Sequence, residues 1–438
     1  MEWWVTIIII FCSLSILLAS GLPVAFAFMA FNVVGVFLLW GGEVGLRQLA
    51  LSMFTSISFE PLIVLPMFIL MGEVLFHSGV FIRAIDILDT WMGRLPGRLC
   101  LVSVAGGTIF AAMTGSGIGA TSMFGSLLLP DMERRGYQRI LSMGSIMASG
   151  GLAPIIPPSG LAVILAVLMD ISVGRLLMAG VFPGLLMASV YAAYIILRCK
   201  FQPSVAPAFP PARVSLSKKI IDTLVYVLPF GSIIFVVIGL IFMGVTSPTE
   251  SAAVGALSTL FISAFYKRLN WDVVLKSVSG TLRITVMIFI ILTGSTAFSQ
   301  ILSFSGAGRS LVEAVVATNM PPILLLITMQ ALLVIMGSFM EEVSMMMITL
   351  PIFMPLVHVA HIDPILFGLL SLINMEIGML SPPFGFLLFT MKGVAPPGTT
   401  MGDVFRAAMP FLMLNLVAMS IIVAFPSIAT WLPSKMTY

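Results

Sequence analysis

Charge is scarce in this chain of 438 residues: only 9% of positions are Asp, Glu, Lys or Arg, against roughly 25% in soluble domains. So few polar side chains leave no room for a solvated catalytic domain, and nothing resembles the basic surface that a nucleic acid requires. Histidine is limited to His77, His358 and His361, with no HExxH and no serine matched to a histidine on a neighbouring core helix, so hydrolase chemistry is not expected. The three cysteines, Cys12, Cys100 and Cys199, are far apart and imply neither a disulfide framework nor a metal-ligand spacing. The first residues, MEWWVTIIIIFCSLSILLAS, lack a basic leader and a small-residue cleavage site, and read as a retained first span.

What is present is apolar: 59% of residues are hydrophobic. Runs of about 17 to 25 residues, long enough to span a hydrocarbon core, recur along the chain. Spans are predicted near 4–20, 22–40, 60–76, 140–170, 175–198, 220–245, 249–266, 284–303, 363–393 and 404–430, giving ten crossings of an all-α polytopic membrane protein. Two further apolar stretches, 99–130 and 320–356, are interrupted by TGSGIGATS and GSFMEEVS and read as re-entrant hairpins. Such hairpins survive at membrane depth only when buried in protein or lining a wet cavity. With 77–98, 131–139, 198–219, 267–283 and 392–406 on the cytoplasmic side, 17 of the 21 Lys and Arg residues face the cytoplasm. That bias follows the positive-inside rule and predicts both termini on the outer, periplasmic side.

The chain also repeats itself. PPSG at 157–160 matches PPFG at 382–385, each 27 residues after a proline, Pro130 or Pro355. Gly115 and Ser116 match Gly337 and Ser338, Ser78 and Gly79 match Ser305 and Gly306, and Pro183 matches Pro410, at offsets of 222 to 227. Residues 1–198 and 220–438 therefore read as two repeats, joined by a Pro-rich, basic cytoplasmic linker at 199–219. Five crossings per repeat, an odd number, invert the second relative to the first, the architecture of secondary transporters with a site at the repeat interface.

Each repeat carries an interrupted helix, GGLAPIIPPSG within 140–170 and MEIGMLSPPFG within 363–393. Proline removes a backbone donor and glycine loosens a helix, so each break frees carbonyls that suit a small cation, while the half-helix that follows offers amides that suit a carboxylate. A single kink of this type is ordinary in membrane helices; two at matching positions downstream of polar hairpin tips point to a binding site. Thr114, Ser116, Thr121 and Ser122 in the first tip, and Ser338, Glu341, Glu342 and Ser344 in the second, offer the oxygen-only ligation that Na⁺ favours. Taken singly, small polar residues in membrane helices more often serve close packing. Glu341, Glu342 and Glu376 fall in these segments, whereas Glu60, Glu73 and Glu250 lie near span ends, where interfacial solvation is the simpler account. Arg83, Asp86, Asp89 and Arg94 fit an amphipathic helix on the cytoplasmic face.

The motifs LPMFILMGEVLFHSGVFIRAIDIL, FAAMTGSGIGATS, LLPDMERRGY, GGLAPIIPPSG and RLLMAGVFPGLL resemble the large membrane subunit of tripartite ATP-independent periplasmic (TRAP) transporters. GVTSPTESAAVGAL, GSFMEEVSMMMITLPIF and NMEIGMLSPPFGFLLF continue the likeness through the second half. The resemblance implies an elevator-type importer in the bacterial inner membrane that takes up organic acids, usually carboxylates, with Na⁺ as coupling ion and no other cofactor. It implies two partners, a small membrane subunit and a periplasmic substrate-binding protein. By motif, one sodium site would use Thr114 and Ser116 with backbone near Ala153, Ile156 and Pro158; a second would use Glu341 and Ser381 with backbone around Gly337, Gly378 and Gly385. Ser159, Gly160, Ser338 and Asn374 are the expected substrate contacts. Family members often carry aspartate where Glu341 stands and threonine where Ser381 stands. A stand-alone sodium and carboxylate symporter of related architecture is the alternative.

Overall fold

The computed structural model describes every residue except 1–2, 21, 23, 40–41, 94, 208–213, 339–341, 383–384 and 437–438. Three helices open the chain: α1 (Trp3–Ala19), α2 (Val24–Leu39) and α3 (Glu43–Ile57). A 3-10 turn over Glu60–Ile63 leads into α4 (Val64–Ser78), which stops at Gly79 in the left-handed conformation before α5 (Ile82–Met92). A hairpin of α6 (Arg98–Thr114) and α7 (Gly117–Arg134) follows, then α8 (Arg139–Gly151), α9 (Gly160–Leu168) and the 29-residue α10 (Val173–Phe201).

The second part runs through α11 (Leu216–Tyr226), α12 (Leu228–Phe242), α13 (Pro248–Phe265), the 34-residue α14 (Trp271–Phe304) and α15 (Ala307–Ala317). A hairpin of α16 (Pro322–Gly337) and α17 (Glu342–Val359) precedes α18 (Pro364–Leu380), α19 (Phe386–Val394), α20 (Met401–Ala424) and α21 (Ser427–Ser434). No strand occurs among the described residues. Among them, five helical segments are long and apolar enough to cross a bilayer alone, Glu60–Ser78, Val173–Phe201, Trp271–Leu302, Glu342–Val359 and Met401–Ala424. α11 and α12 would add a sixth despite a 46° bend.

The expected span at 140–170 is two helices separated by residues 152–159, and that at 363–393 is two helices separated by 381–385. Both breaks fall on the proline pairs, where the missing amide and the ring clash stop a helix from continuing. The helix expected at 284–303 begins earlier, at Trp271, because a polar first stretch, WDVVLKSVSGTLR, still propagates helix. Asn270 Oδ1 accepts from Val273 N at 2.8 Å and starts it. Glu250, expected at a span end, closes a capping box: its carboxylate accepts from Ser247 N and its own amide donates to Ser247 Oγ.

Two groups of helices surround the site. In one, α4 packs against α13 and α14, and α14 also packs on α2 and α3. Asn32 Nδ2 donates to Gly294 O at 2.6 Å across the buried α2–α14 seam, beside the edge-to-face pair Phe28 and Phe298. In the other, α8 packs against α6, α7 and α20, and α18 against α16, α10 and α20. The amphipathic helix expected around Arg83, Asp86 and Asp89 is α5, which buries Ala84, Ile85 and Ile87; Arg94 lies outside the described residues. α11 lies along α5: Arg83 Nη1 donates to Tyr226 Oη at 2.8 Å, Trp91 Nε1 to Thr223 Oγ1 at 2.7 Å, and Lys219 Nζ to Thr90 O at 2.8 Å.

Candidate functional site

The first hairpin turns on two residues. Thr114 ends α6, Gly115 takes φ 62°, a left-handed conformation that a residue with a Cβ adopts at a cost, and Ser116 starts α7. Ser116 Oγ accepts from Gly119 N at 3.0 Å, and Thr114 Oγ1 donates to Phe110 O at 2.9 Å while accepting from Ser116 N at 3.4 Å. The turn sits directly on the first helix break. A Cβ at Gly117 would lie 2.7 Å from Gly150 O, and one at Gly115 would lie 3.6 Å from Gly160 N.

Within the break, Ile155 N and Ile156 N both donate to Leu152 O, and Ala153 N donates to Gly150 O. Ser159 then restarts the helix: its hydroxyl accepts from Ala162 N at 3.2 Å and donates to Pro154 O at 2.8 Å. No described group donates a hydrogen bond to the carbonyls of Ala153, Ile156 or Pro158. These are the three backbone positions expected to hold an ion beside Thr114 and Ser116.

A cleft of about 300 Å³ opens at this junction. Thr114, Ser116 and Gly160 line it, with Pro154 from the break, Leu65, Phe68 and Glu73 from α4, Ile284 and Ile288 from α14, and Glu342 from α17. The two helix groups therefore meet across it. Glu73 lies five residues before the end of α4, as its place near a span end led one to expect, and it also lines the cleft wall, 3.1 Å from His77 Nε2 and beside Gly280 of α14. The signal available in the sequence was the Glu73–His77 spacing, which puts both side chains on one helix face.

The second cluster forms where α16 meets α18. Gly337 and Gly378 pack backbone on backbone: a Cβ at Gly378 would lie 2.8 Å from Gly337 Cα. Ser381 ends α18 and donates to Ile377 O at 2.7 Å, and Gly385 N donates to Ser381 O at 3.0 Å. Gly337, Gly378, Ser381 and Gly385 are thus gathered, while Glu341 lies outside the described residues. Ser338 is buried and donates to Val334 O at 3.1 Å. Asn374 is fully buried and donates to Gln330 O at 3.2 Å and to the Gln330 side chain, away from the cleft lining. Of the four expected substrate contacts, Gly160 lines the cleft; Ser159, Ser338 and Asn374 do not. Among the described residues, no group of three or more His, Cys, Asp or Glu side chains is arranged to hold a metal ion.

Residues 11–428 match the family described as Tripartite ATP-independent periplasmic transporter, DctM component. The chain belongs to this family. It is therefore a membrane-embedded, multi-pass TRAP large permease and not an enzyme. It is 32% identical over 392 residues to the C4-dicarboxylate TRAP transporter large permease protein DctM of Pseudomonas aeruginosa, covering 89% of this chain and 90% of the relative. It is 28% identical to the ectoine TRAP transporter large permease protein TeaC of Halomonas elongata, over 95% of this chain and 96% of that one. The sialic acid TRAP transporter large permease protein SiaM of Vibrio cholerae is 27% identical, with 95% and 96% covered. Among solved structures, the YdaH transporter of Alcanivorax borkumensis shares the fold at a TM-score of 0.67 and 13% identity, covering 93% of this chain and 98% of that one.

Proposed function

We propose that this TRAP large permease is the membrane-spanning path of a sodium-coupled importer of small organic acids in the bacterial inner membrane, with both termini periplasmic. It works with a small membrane subunit and a periplasmic binding protein that delivers the substrate. Residues 1–198 and 220–438 are its inverted repeats, joined by the linker at 199–219, and each repeat contributes one hairpin and one broken helix. The observation that carries this reading is the first hairpin turn seated on the first break, whose carbonyls at Ala153, Ile156 and Pro158 accept no hydrogen bond from a described group. Oxygen atoms without donors suit a hard monovalent cation. The gathered Gly337, Gly378, Ser381 and Gly385, with Glu341, form the second sodium site by the same logic.

Transport follows from linkage: a cation that completes the cleft favours the state that holds substrate, so its inward gradient drives uptake. The helix group built on α8 and α18 moves as an elevator against the group built on α4, α13 and α14, carrying the cleft between the two sides. The test is uptake of radiolabelled small carboxylic acids into proteoliposomes holding the chain, its small subunit and its binding protein. Uptake that falls to background when Na⁺ is replaced by K⁺ supports the reading; uptake that persists unchanged sinks sodium coupling. Uptake that persists without the binding protein favours a stand-alone symporter instead.

A further inference from the structure

Glu376 is one of the most enclosed groups in the molecule, fully buried near the end of α18. Its Oε1 lies 2.6 Å from Tyr191 Oη of α10, and the same phenol meets Asn415 Oδ1 of α20. Tyr191 and Asn415 are equally buried, and the Tyr191 ring is held edge-on by Phe411 at 5.5 Å. α10 is therefore pinned at one phenol to α18 and α20 of the second half. The ion pairs among the described residues do not include Glu376.

The carboxyl does more than join these three. It fills the space beside Gly151, where a Cβ would come 2.6 Å from Glu376 Cγ. Gly151 is the last residue of α8, and the first break begins at the next position. Two residues beyond Glu376, Gly378 rests on Gly337 in the second cluster. One side chain thus abuts the start of the first break and stands on the turn that shapes the second. Glu376 Oε2 and Asn415 Nδ2 have no hydrogen-bond partner among the described residues. Burying polar groups so incompletely paired costs stability that an apolar side chain of similar volume would not, so ordinary packing is a poor account of them.

We infer that Glu376, Tyr191 and Asn415 form a buried tie that positions the two helix breaks relative to one another and thereby sets the sodium affinity of both. These are positioning residues; the inference rests on the sodium-coupled reading above. Coupling of this kind needs an element whose arrangement both sites bias, and a carboxyl held by Tyr191, whose phenol also meets Asn415, and pressed on Gly151 of α8 provides one.

The test is the sodium-dependent rise in thermal unfolding midpoint of the full chain in detergent, titrated with sodium chloride at constant ionic strength against potassium chloride. Wild type, Tyr191→Phe, Glu376→Gln and Glu376→Ala are compared. Tyr191→Phe and Glu376→Ala are expected to raise the half-saturating sodium concentration about 5- to 10-fold. Glu376→Gln, whose amide oxygen still accepts from Tyr191, is expected to stay close to wild type. Variants that lower the midpoint without sodium but leave half-saturation unchanged overturn the inference and leave a purely structural tie. Tyr191→Phe keeps the readout available if Glu376→Ala fails to fold. A wild type that ignores sodium overturns the sodium reading and this inference together; a responding wild type with unmoved variants overturns this inference alone.

Discussion

Gly337 and Gly378 touch without side chains between them: a Cβ on Gly337 would lie 3.0 Å from Gly378 Cα, and one on Gly378 2.9 Å from Gly337 O. That contact lets the end of α16 lie flush on α18, one turn before the second break. Gly378→Ala forces the two helices apart, at a cost of about 1–3 kcal/mol. Gly393→Ala is the matched control, since nothing stands within 4 Å of its Cβ and it lies inside α19. There, the helix propensity of alanine should add up to about 1 kcal/mol. Thermal unfolding in detergent should show a lower midpoint for the first and an equal or higher one for the second; equal losses would mean that the close contact is not what matters.

The two serines that restart helices differ in what they leave behind when removed. Ser116 Oγ caps one amide, so Ser116→Ala should cost about 1 kcal/mol. Ser159 Oγ, nearly fully buried, caps Ala162 N and also satisfies Pro154 O. Ser159→Ala adds about 1–3 kcal/mol for the carbonyl left alone. The expected order is a larger stability loss for Ser159→Ala, measured without sodium, and a larger change in sodium response for Ser116→Ala. The reverse order would put Ser159 among the ligands and take Ser116 out.

The pairing of α5 with α11 rests on a few contacts at the edge of the fold. Trp91 is central to it, donating to Thr223 and lying under the Lys219 ammonium at 5.9 Å from the ring centroid. Trp91→Ala removes both contacts and exposes α11, which buries none of its own residues. Amide hydrogen exchange across Leu216–Tyr226 should rise several-fold, with little change in Arg139–Gly151 of α8. Exchange that stays as slow as in wild type would show that α11 is held by something other than α5.

What could be read in the sequence was written in glycine and proline. Both helix breaks, the first hairpin turn and their spacing were legible, because proline cannot sit mid-helix without consequence and Gly115 marks a left-handed turn; the second hairpin's turn lies outside the described residues. α3 escaped notice because Glu43, Arg47 and Gln48 dilute its apolar pattern below that of a span, although the helix forms and packs on α14. α11 straddles the expected linker at 199–219 and the expected span at 220–245, and was not read as a separate helix because its amphipathic face is meant for α5 rather than for a core. The long-range side-chain contacts around the site were not legible. Tyr191 meets Glu376 across 185 residues and Asn415 across 224, and no local pattern in one sequence reports such a meeting. The place of Glu73 in the cleft wall was missed for the same reason: it is decided by how α4 packs on α14, which its position near a span end does not report.

Ile118 gives direct access to the cleft. It lies one residue into α7, lines the cavity with Thr114 and Ser116, and is 44% exposed. The background is favourable: Cys12 is exposed and can be replaced by alanine, while Cys100 and Cys199 are buried and free. In a Cys12→Ala chain, Ile118→Cys should react with a small maleimide, because a thiol there faces open space. If sodium orders the hairpin turn on the break, the reaction should slow in sodium chloride relative to potassium chloride at equal ionic strength. Ser126→Cys, exposed on the same helix but outside the cleft, controls for general effects of the salt and should react alike in both. Sodium protection at residue 118 and none at 126 ties the ion to the hairpin turn. Equal rates at both positions in both salts would separate sodium from the first hairpin and leave the second cluster as its place of action.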